Sequence, residues 1–114
     1  MTEDEARNKL DEFRVLIDDV DRRIVELLNE RTLVVEEIGR VKRLGKLPIY
    51  EPKREEAVFA NVTGCNRGPL TTGALRRIFE RIIDEMRGVQ RARMESGGAG
   101  SLAAGVPHDG ADKC

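Results

Sequence analysis

Residues 10–41 read LDEFRVLIDDVDRRIVELLNERTLVVEEIGRV, and Leu10, Phe13, Ile17, Val20, Ile24, Leu27, Val34, Ile38 and Val41 fall in this run on the a and d positions of successive heptads. Residues three and four apart share a helix face, so the stretch predicts one long amphipathic helix with a continuous apolar seam. Arg31 occupies an a position of the same seam, where Leu or Ile is expected. A cation in an apolar stripe requires an anionic partner. That partner is either a carboxylate of the chain, such as Glu30, Glu36 or Glu37, or a ligand.

The helical pattern extends from residue 5 to about 44, which at 1.5 Å per residue makes a helix on the order of 60 Å long. A compact domain of ~100 residues has a radius of gyration of only about 13 Å, so such a helix leaves half of its stripe wet in a monomer. An antiparallel or intertwined pair of chains would cover both stripes, and a homodimer is therefore expected. Gly39 lies inside the helix at a cost of up to ~1 kcal/mol relative to Ala, which marks either a close approach of another element or a tolerated surface glycine.

Beyond Gly45, the segment LGKLPIYEP contains Pro48 and Pro52, each of which disfavours helix in the residue before it. Pro52 is suited to the first position of a second helix with Glu51 as its N-cap, running to Gly64. Its buried face is expected to be Ala57, Val58 and Val62, with Phe59 at the margin. After the loop GCNRGPL, Thr71 or Thr72 caps a third helix whose apolar positions Leu75, Ile78, Phe79, Ile82, Ile83, Met86 and Val89 keep helical spacing, and which should end near Arg93. Residues 1–93 thus form one all-α, three-helix domain, and 94–114 a flexible Gly-rich tail.

Composition narrows the function classes. The 114 residues carry 20 Lys plus Arg against 21 Asp plus Glu, so a net charge of -1 gives no general attraction to nucleic acid or an anionic membrane, and any anion site is local. No window approaches the ~18 apolar residues of a membrane span, and the start MTEDEARNK lacks the basic and apolar regions of a signal peptide; a cytoplasmic protein is expected. Cys65 and Cys114 are too few for a disulfide framework or metal cluster and read as free thiols. The one histidine, His108, lies in the tail, so the folded part offers neither a histidine base nor a His-ligated metal. No metal or other cofactor is expected.

Charged side chains on the three helices supply the candidate site. Arg31 and Lys42 are eleven residues apart, three helical turns or about 16 Å, and point in nearly the same direction, so together they can reach two ends of a small dianion. Arg14 is roughly 25 Å from Arg31 along the same helix and meets the same ligand only across an antiparallel dimer; otherwise it is a solvated helix charge. Arg54 and Glu55 sit on the first turn of the second helix, where backbone N–H groups also favour an anion, and Glu55 could accept a hydrogen bond from a substrate hydroxyl. Ordinary surface ion pairs would explain the same cluster. Gln90, at the edge of the third helix's stripe, either satisfies a backbone group or donates to a ligand oxygen.

Together, FRxxIDxxD (13–21), LLNER (27–31), IGRVK (38–42), YEPKRE (50–55), GPLT (68–71) and IFERII (78–83) resemble the all-helical class of chorismate mutases over residues 10–90. The resemblance implies an intertwined homodimeric six-helix bundle with two active sites, each completed by Arg14 of the other protomer. It implies that Arg31 and Arg54 hold the carboxylates of chorismate together with Arg14, that Lys42 contacts the ether oxygen and a carboxylate, that Glu55 takes the ring hydroxyl, and that Gln90 donates to the ether oxygen. Glu51 stands where the family often has Asp, and Met86 where some members have a small polar residue. The implied reaction, chorismate to prephenate, is a unimolecular rearrangement that needs no base, nucleophile or cofactor. An empty site should then hold several unpaired cations. Other readings are an isochorismate-pyruvate lyase of the same fold, which characteristically lacks the carboxylate at Glu55, and a non-catalytic regulatory module that partners an aromatic-pathway synthase.

Overall fold

The computed structural model describes residues 1–95. It contains three helices, α1 (Glu3–Gly45), α2 (Pro52–Cys65) and α3 (Thr72–Glu95), and no strand among the described residues. The all-α expectation holds. The chain divides into two units, Met1–Thr32 and a second that begins at Leu33.

The first unit is the N-terminal part of α1. Its start is a reciprocal capping box: the Glu5 amide donates to the Thr2 hydroxyl at 3.1 Å, and the Thr2 amide donates to the Glu5 carboxylate at 2.7 Å. The hydrogen bond from the Thr2 backbone, then that from its hydroxyl, holds the Glu5 carboxyl below its ordinary value. Ion pairs one turn apart, such as Arg22 with Asp19, run along the polar side. The seam residues Leu10, Phe13, Ile17, Val20, Ile24 and Leu27 remain 40–62% exposed, so this chain alone does not cover them.

In the second unit, the buried residues of α1 are Val35, Gly39 and Lys42. Their spacing of four and three is again one helix face, displaced by one residue from the heptad seam, whose Ile38 and Val41 stay exposed. The helix therefore has two working faces side by side, and the heptad pattern reports only one of them. α1 closes in a Schellman arrangement: the Leu47 amide bonds to the Lys42 carbonyl at 2.8 Å and the Lys46 amide to the Arg43 carbonyl at 3.2 Å. The left-handed residue is Lys46 (φ 59°) rather than the neighbouring Gly45.

Pro52 begins α2 as expected, but the Glu51 side chain makes no capping bond. Phe59 is buried and Ala57 exposed, which corrects the expected face of α2. The reason is Arg76 of α3, whose guanidinium lies 4.0 Å from the Phe59 ring centroid, so that the larger side chain turns towards α3. Thr71 caps α3 through its hydroxyl, 3.1 Å from the Ala74 amide. Ile83 and Met86 join Val35 and Phe59 in the core, and α3 runs two residues past its expected end at Arg93. Four buried apolar side chains at ~1.5–3 kcal/mol each make a small core. Cys65 is disulfide-bonded, which corrects its reading as a free thiol. Cys114, His108 and nearly all of the expected tail lie outside the described residues.

Candidate functional site

Lys42 is the most deeply buried charged residue described, at 7% exposure. A lysine ammonium has three N–H donors. Here each has an acceptor: Glu51 Oε1 at 2.8 Å, Gln90 Oε1 at 2.9 Å and the Ile49 carbonyl at 3.0 Å. The turn at the end of α1 explains this convergence. The Lys42 carbonyl anchors the reversal through Leu47, and the chain returns to set the Ile49 carbonyl and Glu51 against the same residue's Nζ. Glu51, expected as a helix cap, is drawn away by a buried cation, for which a charge-assisted bond is stronger than a neutral cap.

The Lys42 contact also fixes which way the Gln90 amide faces. Lysine accepts no hydrogen bond, so only the amide oxygen can meet it, and the Nε2 group points elsewhere with both of its protons. Among the described residues Nε2 makes no hydrogen bond, whereas Oε1 has one. Gly39, one turn before Lys42, permits this approach: a Cβ there would lie 3.2 Å from the Gln90 Cα and carbonyl oxygen and 3.3 Å from the Arg93 Cβ. The close-approach reading of Gly39 is the right one. An Arg93–Glu36 ion pair at 3.1 Å fastens the two helices one turn further along.

A second polar cluster joins α2 to α3. The Arg87 Nε donates to Glu55 Oε2 at 2.8 Å, its NH2 group donates to Asp84 Oδ1 at 2.8 Å, and its guanidinium carbon lies 5.7 Å from the Tyr50 ring centroid. The Glu55 hydrogen bond is the main cause that raises the Arg87 guanidinium above its ordinary range. Arg54, beside Glu55, is exposed and makes no ion pair among the described residues.

The second unit thus brings together Lys42, Glu51 and Gln90 directly, holds Glu55 from α3, and buries Met86 one turn before Gln90. Arg14 and Arg31 belong to the first unit. Arg14 is exposed and lies 3.5 Å from Asp11, and Arg31 is half-buried and not without a partner. The expectation of several unpaired cations is therefore corrected. Lys42 and Arg14 have carboxylate partners supplied by the chain, Glu51 and Asp11. Sequence reasoning missed Arg87. Its spacing of three from both Asp84 and Gln90 was visible, but its partner Glu55 is 32 residues away. No group of three or more His, Cys, Asp or Glu among the described residues could hold a metal ion, and no described helix is long and apolar enough to cross a membrane.

Three helices, a buried lysine set against a glutamine, and a glutamate tethered by an arginine define an all-α protein with two polar clusters between its helices. The type II chorismate mutase family matches residues 13–91, and the chain belongs to that family. It is similar to a bifunctional chorismate mutase/prephenate dehydratase of Neisseria gonorrhoeae, with 37% identity over 68% of this chain and 21% of the relative. It is also similar to a chorismate mutase of Methanocaldococcus jannaschii, with 26% identity over 76% of this chain and 89% of the relative. Among solved structures, a chorismate mutase (form II) from Thermus thermophilus is 36% identical, with a TM-score of 0.71 over 73% of this chain and 94% of that one. The chain spans only about a fifth to a third of the bifunctional relatives it matches.

Proposed function

We propose that the protein is a chorismate mutase that isomerises chorismate to prephenate. In this rearrangement the ether C–O bond breaks as a C–C bond forms within one molecule, and no proton or electron is exchanged with the protein. Catalysis then consists of holding the dianion in its folded conformer and stabilising charge on the ether oxygen as the bond breaks. The observation that carries the reading is the Lys42–Gln90 pair: Lys42 fixes the amide oxygen, and the Nε2 donor is left for an oxygen of the ligand. Lys42 reaches the substrate by exchanging one of its three contacts, and Glu51, with a side chain 49% exposed, is the one open to replacement.

The remaining roles belong to the same proposal. Arg54 and Arg31 take the carboxylates, and Glu55 takes the ring hydroxyl. The exposed seam of the first unit supports a homodimer, since a second copy would cover it and carry Arg14 to the site. Met86, buried one turn before Gln90, shapes the wall of the site. A cytoplasmic location, and a link to another aromatic-pathway enzyme such as a synthase, go with this reading; the two-activity names of several relatives support the link.

Purified protein mixed with chorismate should consume it, with prephenate as product; no turnover sinks the assignment, and pyruvate released from isochorismate instead would make the protein a lyase. Gln90→Glu should move activity towards acid, because a carboxyl group donates to the ether oxygen only when protonated, and neighbouring Lys42 favours its ionised form. Its kcat/KM should fall as pH rises through the carboxyl's pKa, while the wild-type profile stays flat there. Equal profiles would remove Gln90 from the role.

A further inference from the structure

We propose that Arg87 is a positioning residue for substrate recognition, which holds Glu55 so that one carboxylate oxygen is committed to the protein and the other faces the substrate hydroxyl. The role rests on the substrate contact assigned to Glu55 above. The geometry is specific. Glu55 Oε2 accepts from Arg87 Nε at 2.8 Å, and the described hydrogen bonds engage no other oxygen of that carboxylate. Arg87 is itself fixed from two further sides, by Asp84 Oδ1 at 2.8 Å and by the Tyr50 ring at 5.7 Å. The Glu55 and Arg87 side chains are only 20% and 29% exposed, so solvent screens the pair less than it does the ion pairs on α1.

A glutamate on the first turn of a helix has three side-chain torsions and would otherwise sample several rotamers. Ordering it in advance removes that loss from the binding step. Lysine in place of Arg87 could not serve both carboxylates in the same way, because its point charge lacks the planar fork that spans Glu55 and Asp84. The arrangement also gives Arg87 a purpose that the heptad and helix patterns do not, since it lies beside the stripe of α3 and adds nothing to the apolar core.

The test is a coupling measurement with chorismate and an analogue that lacks the ring hydroxyl. With chorismate, Arg87→Leu should raise KM about tenfold, the equivalent of one charge-assisted hydrogen bond, and change kcat less than KM. With the deoxy analogue it should leave KM unchanged. The double variant Arg87→Leu with Glu55→Ala should behave as Glu55→Ala alone. Arg87→Lys, which keeps the charge, should fold with wild-type helicity and still show a KM defect confined to chorismate, so a poorly folded leucine variant does not decide the matter. Equal losses on both substrates, or additive losses in the double variant, would show a purely structural role and overturn the proposal while leaving the mutase assignment standing. A wild-type protein without turnover would overturn both.

Discussion

Lys42→Met is expected to lower kcat/KM for chorismate by on the order of a thousandfold, about 4 kcal/mol of transition-state stabilisation. Methionine nearly matches the lysine stem in volume, so the surrounding packing is kept and the ammonium alone is removed. Two losses then combine. The donor proposed for the ether oxygen disappears, and Gln90 is no longer held by the ammonium at its amide oxygen, so its Nε2 loses the preferred orientation that the 2.9 Å contact imposes. Folding should suffer less. Glu51 is half-exposed and can be solvated, which leaves the Gln90 oxygen and the Ile49 carbonyl as the acceptors stranded, at a cost of ~1–3 kcal/mol. Circular dichroism should show the helices retained, and steady-state kinetics should show the rate lost. A variant with turnover within a few-fold of wild type would mean that Lys42 is only a structural clasp for the end of α1.

Arg31→Ala is expected to cost on the order of 3 kcal/mol or more in kcat/KM and to leave stability unchanged or higher. Stability and activity move in opposite directions here because of the heptad. Arg31 takes an a position between Leu27 and Val34, where alanine keeps the helix and continues the apolar seam. A purely structural arginine would give the reverse pattern, a lower melting temperature with activity that falls only as the folded fraction does. Measuring both quantities on one preparation separates the two roles.

How far the fold is legible depends on which physical signal each element carries. The three helices can be read because periodicity, Pro52 and the Thr71 cap are local features. The seam misleads about the packing within the chain, because a single amphipathic stripe implies one buried face, and Val35, Gly39 and Lys42 form a second beside it. Phe59 departs from its expected place for a similar reason: its burial depends on Arg76, which belongs to another helix. Lys42, Glu51, Glu55 and Gln90 stand out as residue types, but their mutual geometry does not. Neither the Ile49 carbonyl nor the diversion of Glu51 from capping to Lys42 leaves any trace in the sequence. Gly39 is the most informative single letter. Its cost inside a helix signals a close approach, and the backbone that approaches is that of Gln90.

The central claim is that a functional site draws its arginines from two copies of one long helix, Arg14 from one and Arg31 from the other. Mixing Arg14→Ala and Arg31→Ala proteins, each inactive by itself, tests this directly after the subunits are dissociated and allowed to reassociate. Random pairing makes half of the dimers mixed, and each mixed dimer carries one intact site of two, so about a quarter of wild-type activity should return. No recovery, with mixed dimers demonstrated by mass spectrometry, would contradict the shared site.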